Sequence, residues 1–526
     1  MFAMAGAVGS MAIAVSSLSP LPAAAAWNSY PQTFSSDQAM TYQINPSHSG
    51  SPGPETLTLP LQPSWTIDLG GPVSYPVMGP SYIYVTVTNP TTTHPNLYAI
   101  NYRTGAVAWG PIDLGGSWWA NASYDNGLVF TINVNGQMQA FDEQTGAVQW
   151  TTQLPGQSMF TSPPASSVFG SGGDLIYTSG AGSGGTLYAV HASSGAIAWQ
   201  APVMNGDHSA PVVTTAGVYV AYACAQTYDF EPLHGALLWH HATGCEGGGG
   251  KTAALYNGKL YVRDALVGNT ILDAASGATL GSFSATAAPA FSGSTGFFLN
   301  GSTLQAVNLS TNAVLWSFTG DGTLTTSPIV VNRNVYIGAS SGNTYAVDAG
   351  TGAQTWSVHL SSPINAPDEQ NASQPLTGLS AGYGFLGVPA GNTLTLFSSA
   401  LQVSPGSYNF GVKQVGSSTT VAVGITDNFA GRVTVSGATA TGDYTVNSTG
   451  CTTLSIGQQC LIGVSFAPTA YGQRNGTLTI NDNAPGSPHT VALIGAGSDY
   501  IIDHFVLTPA STTMAAGGSQ GYEAEA

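Results

Sequence analysis

The chain has 526 residues, a formal net charge of −17 and only 6% charged residues, with eight Lys and Arg in total. Nucleic acid is excluded as a partner class, because neutralising phosphates requires clustered cationic side chains and these eight are scattered. The hydrophobic content of 43% excludes a disordered chain. A surface made mainly of hydroxyl, amide and glycine groups favours β-strands over helices, whose exposed faces usually carry Glu and Lys.

The N-terminal residues 1–26 form an apolar stretch that ends in small residues. This pattern predicts a secretory signal peptide cleaved near Ala26–Trp27, followed by a lead-in segment over 27–60. An uncleaved anchor is the alternative, since no Lys or Arg precedes the apolar run; Pro20 and Pro22 shorten that run below the ~20 residues of a membrane span. Four cysteines fit an oxidising compartment. We therefore expect a secreted or cell-surface (extracellular or periplasmic) protein with no span in the mature chain.

A pattern of a small residue, a Gly six positions later and a Trp ten positions later recurs along the chain. Full or near-full copies occupy 99–109, 140–150, 189–199, 306–316 and 346–356, and weaker copies occupy 229–239 and 271–283. The weaker copy at 271–283 lacks the Trp, and Phe283 marks its fourth strand. The closing Trp residues are Trp65, Trp109, Trp150, Trp199, Trp239, Trp316 and Trp356. A period of about forty residues indicates stacked supersecondary units.

One unit, 327–360, divides into four short strands separated by turns rich in Gly and Asn, which is typical of a propeller blade. We expect the Gly of the Thr-Gly turn to adopt a positive φ and the Trp to fill the gap between adjacent blades. The series of fourth strands starts one strand early, so Trp65–Leu69 is predicted to complete the last blade, 363–400. The predicted fold is all-β, with an eight-bladed β-propeller over 61–400 closed by an N-terminal strand.

These repeats resemble the quinoprotein-type, or PQQ-like repeat, propeller family, whose signature is Ala-x-Asp-x-x-Thr-Gly-x-x-x-Trp. Ala346, Asp348, Thr351, Gly352 and Trp356 match it completely. The resemblance implies the propeller fold. It does not decide activity, because the family includes dehydrogenases that use pyrroloquinoline quinone and also propellers without cofactor that act as binding scaffolds.

A second module is predicted after Leu401, where an alternating Thr- and Val-rich pattern begins. Residues 450–497 resemble the last strands of an Ig-like β-sandwich of the ASH-type, or choice-of-anchor D, class, which occurs in secreted bacterial proteins. The module is predicted over 401–497, and 498–526 is interpreted as the start of a truncated further Ig-like domain. Two structural disulfides are predicted, between Cys224 and Cys245 and between Cys451 and Cys460.

Quinone chemistry would need a Ca²⁺ held by carboxylate and amide oxygens and a carboxylate base. The chain has no adjacent cysteines and no Cys-x-x-Cys-His haem motif, and the segments that enter each blade carry few polar side chains. Trp118 and Trp119 are candidates for a sugar platform, with packing between blades as the alternative. The candidate ligand-binding residues at the channel mouth are Trp118, Trp119, Asp207, His208, Lys251, Asp321 and Asn365. No catalytic residue, metal site or cofactor is predicted.

The sequence therefore favours a secreted, non-enzymatic PQQ-like propeller that acts as a binding or scaffold module at the cell exterior, for an unknown protein or glycan ligand. Two alternatives stay open. One is a dehydrogenase that depends on pyrroloquinoline quinone and Ca²⁺, and the other is a polysaccharide-binding or lyase-like propeller.

Overall fold

The computed structural model describes most of the chain after residue 37. The described ranges are 38–52, 57–117, 119–160, 165–166, 175–182, 184–204, 209–244, 250–264, 267–369, 374–427, 432–455, 457–484, 486–499, 506–508 and 523–525. The predicted signal peptide lies outside them. Within these ranges the fold is almost entirely β, with one 3₁₀ turn at Ala223–Ala225. None of the described residues belongs to a helix that is long and apolar enough to cross a membrane.

Eight four-stranded antiparallel sheets lie between residues 61 and 399 of the described chain. The earliest strand is β1 (Leu61–Asp68). Blade 1 contains β2 (Val77–Met78), β3 (Ile83–Thr88), β4 (Pro95–Ile100) and β5 (Val107–Asp113). Blade 2 contains β6 (Ala120–Asp125), β7 (Leu128–Asn133), β8 (Gln137–Asp142) and β9 (Val148–Gln153). Blade 3 contains β10 (Ala165–Ser166), β11 (Leu175–Ala181), β12 (Gly185–His191) and β13 (Ile197–Val203). Blade 4 contains β14 (Val212–Val213), β15 (Val218–Tyr222), β16 (Gln226–Phe230) and β17 (Leu237–His241).

The remaining blades follow in chain order. Blade 5 contains β18 (Gly250–Tyr256), β19 (Lys259–Asp264), β20 (Thr270–Asp273) and β21 (Thr279–Ser282). Blade 6 contains β22 (Ala290–Ser292), β23 (Thr295–Asn300), β24 (Thr303–Asn308) and β25 (Val314–Phe318). Blade 7 contains β26 (Ile329–Val331), β27 (Asn334–Gly338), β28 (Asn343–Asp348) and β29 (Gln354–His359). Blade 8 contains β30 (Ser380–Gly382), β31 (Phe385–Ala390) and β32 (Thr393–Ser399).

The N-terminal strand closes the ring. Strand β1 pairs antiparallel with β32, with Trp65 opposite Leu396, so the strand order in blade 8 is β1-β32-β31-β30. The first strands of neighbouring blades contact each other, for example β2 with both β6 and β30, which places the first strands around a central channel and the fourth strands outside. The predicted all-β propeller with an N-terminal closing strand is therefore confirmed.

The repeated Asp and Thr build the turn between the third and fourth strands. In blade 7 the Asp348 carboxylate accepts hydrogen bonds from the backbone N–H of Gly350 (3.1 Å) and of Thr351 (2.8 Å) and from the Thr351 hydroxyl (2.9 Å). These bonds lower the pKa of Asp348, with the Thr351 hydroxyl as the first cause. The turn then passes through Gly352, whose φ of +76° is strained for a residue with a side chain.

The repeated Gly and Trp meet across the junction between blades. A Cβ on Gly352 would lie 2.8 Å from the Trp316 indole of the preceding blade, and the equivalent glycines of five other repeats would meet an indole at 2.5–2.8 Å. Every closing Trp also donates its indole N–H to a backbone carbonyl of the next blade, at 2.7–3.1 Å. The pattern therefore describes an interface: Gly provides both the turn and the flat surface on which the indole lies.

The junction between blades 5 and 6 departs from this arrangement. Strand pairing places Gly281 opposite Ile271, where other repeats have a Trp, and Phe283 lies just beyond β21. Phe283 packs against Tyr261 and Phe298 instead. The turn of blade 6 has Asn312 (φ +58°) in place of the usual Gly. The two changes fit each other, because an Asn tolerates the left-handed region and no indole lies against this turn.

The C-terminal module is a sandwich of two sheets. Its strands are β33 (Leu401–Ser404), β34 (Ser407–Gln414), β35 (Thr419–Asp427), β36 (Val433–Ala440), β37 (Tyr444–Asn447), β38 (Thr453–Leu454), β39 (Gln459–Phe466), β40 (Gly472–Gln473), β41 (Gly476–Asp482) and β42 (His489–Ser498). One sheet has the order β33-β35-β39-β37 and the other β34-β42-β41-β36-β38, with β40 paired to β42. Side chains from both sheets, including Phe410, Val464 and Leu478, form one core.

The predicted disulfide between Cys451 and Cys460 is present, with the two Cα atoms 5.4 Å apart. Cys224 is also disulfide-bonded, and its predicted partner Cys245 lies outside the described residues. Beyond the sandwich, β43 (Val506–Thr508) pairs antiparallel with β44 (Glu523–Glu525). The interpretation of 498–526 as the start of another Ig-like domain stays a prediction.

Candidate functional site

The segment 38–52 occupies the central channel of the propeller. Its backbone carbonyls accept hydrogen bonds from backbone N–H groups on the first strands of six blades: Met78→Ala39, Tyr124→Met40, Val213→Pro46, Leu255→Ser47, Phe291→Ser49 and Val330→Gly50, at 2.7–3.0 Å. A segment bonded to six of the strands that surround the channel has to lie on its axis. The donors lie near the ends of their strands, so the segment closes the end of the channel where the first and second strands are joined.

His48 anchors this segment. Its side chain is completely buried, with Nδ1 2.7 Å from the carbonyl of Tyr42 and Nε2 3.0 Å from the carbonyl of Pro211 on blade 4. Burial lowers the pKa of His48, against the opposing effect of these two carbonyls. The nearby Tyr42 hydroxyl lies 3.0 Å from the Ser327 hydroxyl of blade 7, and burial raises its pKa.

A buried ion pair joins blade 5 to the connection between blades 7 and 8. Arg263, on the second strand of blade 5, donates from Nη2 to Glu369 Oε1 at 2.6 Å, and the two side chains are 1% and 5% exposed. Glu369 belongs to the connection between blades 7 and 8, and its Oε2 accepts the backbone N–H of Thr252 at 2.7 Å. Arg263 also donates to the Thr252 carbonyl at 3.1 Å. Together these contacts fasten the connection to blade 5.

A cavity of about 500 Å³ opens beside this pair, at the junction of blades 5 and 6. Lys251, Arg263, Asp264, Asn269 and Phe283 contribute to its wall. Asp264 is fixed by backbone N–H donors from Ala225 (3.1 Å) and Val267 (2.9 Å). The cavity therefore combines a cationic amine, an aromatic ring and several amide and hydroxyl groups.

The predicted candidate residues that the structure describes lie in different parts of the propeller. Trp118, Asp207 and His208 lie outside the described residues. Trp119 is completely buried in the core shared by blades 1 and 2, so its position supports the packing alternative over a sugar platform. Lys251 lines the cavity between blades 5 and 6, and Asn365 is half-buried in the connection to blade 8.

Asp321 is an exposed side chain in the connection between blades 6 and 7. Burial acts to raise its pKa, but hydrogen bonds from Ser341, Thr323 and Asn343 outweigh it and hold the pKa well below its usual range. The Asn343 amide donates at 2.7 Å and the Thr323 hydroxyl at 2.7 Å. Asp321 thus joins its own connection to the turn between β27 and β28.

His48, Arg263 and Glu369 were not among the predicted site residues. The sequence contains one indication of a role for Arg263, because this cation follows the apolar residues of a strand in "LYVRD". His48 and Glu369 lie in connecting segments of ordinary composition, and only the folded chain brings them to the axis.

The channel residues were also compared with the needs of a quinone and its Ca²⁺. Such a pair requires open space on the axis and converging oxygen ligands. Among the described residues, no group of three or more His, Cys, Asp or Glu side chains could hold a metal ion. Tyr42 and His48 are buried in the segment that closes one end of the channel, and the Glu369 carboxylate is paired with Arg263. Among the described residues, these groups do not supply the set of carboxylate ligands that the Ca²⁺ of such a cofactor would need.

Comparison with known proteins identifies the repeats. A family model described as outer membrane protein assembly factor BamB matches residues 48–207, 158–282 and 263–399. The chain belongs to this family. An Ig-like family model, HYDIN/CFA65/VesB-like, matches residues 399–496, which confirms the predicted Ig-like module after the BamB-like propeller.

Individual relatives are more distant. The outer membrane protein assembly factor BamB of Yersinia pestis is 26% identical over 162 residues, and the match spans 28% of this chain and 39% of that protein. The quinohemoprotein alcohol dehydrogenase of Comamonas testosteroni has a TM-score of 0.52 at 13% identity, covering 69% of this chain and 80% of that structure. A europium-containing methanol dehydrogenase has a TM-score of 0.51 at 13% identity, covering 69% and 98%. At these identities the two structures support the propeller fold alone.

Proposed function

We propose that the protein is a secreted, non-enzymatic binding or scaffold module that acts at the cell exterior. One observation carries this proposal: the segment 38–52 closes one end of the propeller channel and bonds to six of its blades. A propeller that uses its axis for its own chain leaves its outer faces and loops for partners. Membership of the family of the outer membrane protein assembly factor BamB supports such a role.

The proposed location rests on the predicted signal peptide and on the disulfides of Cys224 and of Cys451 with Cys460. The Ig-like module is proposed to be an adaptor of the ASH-type, or choice-of-anchor D, class. A protein or a glycan is the proposed partner class, and the low content of Lys and Arg argues against nucleic acid.

The quinone alternative supplies the sharpest test of the non-enzymatic role. The purified chain is heated with and without pyrroloquinoline quinone and Ca²⁺, beside a quinoprotein dehydrogenase as positive control. We expect an unchanged unfolding temperature and no quinone-dependent oxidation of alcohols. A ligand present at 100 times its Kd would add about 2.7 kcal/mol to the free energy of unfolding, so stabilisation of that size, or alcohol oxidation, refutes the proposal.

The binding role is tested separately, with the full chain immobilised and presented to purified envelope proteins and to a panel of glycans. We expect saturable binding to at least one member of these classes. Absence of binding across both panels contradicts a binding module.

A further inference from the structure

A cavity lies at the junction between blades 5 and 6, where the sequence departs from the repeat. At six other junctions the indole of one blade lies against the turn glycine of the next. Here Gly281 occupies the Trp position, and nothing lies within 4 Å of where its Cβ would be. Phe283, displaced towards the connection between the two blades, forms part of the cavity wall. Of the residues that depart from the repeat at this junction, Phe283 belongs to the cavity wall, whereas Gly281 and Asn312 do not.

The cavity holds cationic groups that are scarce in this protein. Two of the eight Lys and Arg residues, Lys251 and Arg263, line it, in a chain of net charge −17. Lys251 makes no side-chain hydrogen bond or ion pair with any residue of the described ranges. Arg263 is 1% exposed, and its buried Nε has no hydrogen-bond partner there. Because Arg263 is buried and paired with Glu369, the Lys251 ammonium is the donor that an anionic group on a ligand would meet in this cavity.

The rest of the wall narrows the ligand class. Asp264 adds a negative charge to the same wall, so a ligand with several phosphates would meet repulsion. Asn269, Thr286 and Asn300 bring amide and hydroxyl groups, which hydrogen-bond to hydroxyls, and the ring of Phe283 offers an apolar face. A compact ligand with one carboxylate, several hydroxyls and one apolar face matches this wall.

We propose that this cavity binds a sugar acid, free or as a uronate unit of an acidic glycan, with Lys251 pairing with the carboxylate. The proposal rests on the proposed binding function and names its ligand class. Half-buried Lys251 is the specificity-determining residue: it selects the acid over the neutral sugar, because a charge-assisted hydrogen bond is lost when the carboxylate is absent.

Calorimetric titration of the full chain with D-galacturonate, trigalacturonate, galactose and inorganic phosphate tests the site. We expect binding of the two acids, weakened by added salt, and at least about tenfold weaker binding of galactose and phosphate. Stronger binding of the trimer than of the monomer assigns the site to a glycan, and equal binding assigns it to the free acid. Equal affinity for phosphate, or no binding of either acid, overturns the proposal.

Variants locate the binding. Lys251→Gln is expected to reduce affinity for galacturonate at least about tenfold, and Lys251→Arg to retain most of it. Lys413→Gln in the Ig-like module removes the same charge elsewhere and is expected to leave affinity unchanged. Asn300→Ala, at the exposed rim, is the second site variant and should weaken binding without affecting folding. Wild-type affinity for galacturonate in Lys251→Gln overturns the proposal, and so does wild-type affinity in Asn300→Ala, because the ligand would then bind elsewhere.

The outcomes separate this proposal from the broader one. If a protein partner binds and galacturonate does not, the binding module stands and the cavity assignment fails. If trigalacturonate binds and is cleaved, detected as new reducing ends, the cavity assignment stands and the non-enzymatic role fails.

Discussion

The contact between Gly146 and the Trp109 indole predicts that a side chain at Gly146 would destabilise the packing of neighbouring blades. Gly146 has a φ of +70°, and a Cβ there would lie 2.8 Å from the indole. Gly146→Ala therefore adds the cost of a left-handed residue, about 1–2 kcal/mol, and the cost of overpacking, about 1–3 kcal/mol. We expect the free energy of unfolding, measured by urea denaturation, to fall by about 2–5 kcal/mol.

Gly127→Ala is the matched control. Gly127 has a similar φ of +82°, but nothing lies within 4 Å of its Cβ position. It should therefore show the backbone cost alone, about 1–2 kcal/mol. The difference between the two variants measures the packing of the blades against each other. Equal losses of stability in the two variants would refute the idea that the repeated Gly is required by the neighbouring indole.

Other predictions concern buried charge. Glu369→Gln, which removes one partner of a buried ion pair, is expected to lower the free energy of unfolding by about 3–5 kcal/mol. Arg333→Gln removes an exposed cation that lies 3.7 Å from Asp348 and should cost less than about 1 kcal/mol. Similar urea midpoints for the two variants would contradict this. Burial raises the pKa of Asp229 to about 8, so the folded state binds the extra proton and wild-type stability should fall as pH rises from about 4 through about 8. Asp229→Asn should remove that slope in thermal melts, and an unchanged slope argues against a buried carboxyl. Burial lowers the pKa of His48, so the unfolded state binds the extra proton and the free energy of unfolding should decline as pH drops below about 6.5. His48→Gln should reduce this loss of stability at acid pH, and a pH profile identical to that of the wild type would contradict the prediction.

The regular part of the propeller could be predicted because its causes are local in sequence. The Thr-Gly turn follows its Asp by three and four residues, and its Trp follows four positions later, so a single repeat contains the turn chemistry and the packing residue. The closing strand could also be predicted. The last blade lacks a fourth strand of its own, and the strand that contains Trp65 has no blade before it, so the two complete each other. Repetition supplies the evidence in both cases.

The contents of the channel could not be predicted in the same way. The segment 38–52 is held by its backbone carbonyls, which every residue has, so its sequence carries no signature of the contact. The Arg263–Glu369 pair joins residues 106 positions apart, and Glu369 lies in a connection outside the repeat pattern. Trp119 was ambiguous for a related reason, since a Trp that packs inside a core and one that binds a ligand have the same local sequence.

Departures from a repeat carry information when they occur in pairs. At the junction of blades 5 and 6 the Trp position has become Gly281 and the facing turn has become Asn312, and each change removes the reason for the other. Loss of the indole alone would leave an unfilled gap, which costs stability in a packed protein. Here Phe283 packs edge-on against Tyr261 and at a tilt against Phe298, and Phe283 and Lys251 both line the cavity. The junction therefore keeps an aromatic core without the indole, and Phe283 belongs both to that core and to the wall of the cavity proposed as a binding site.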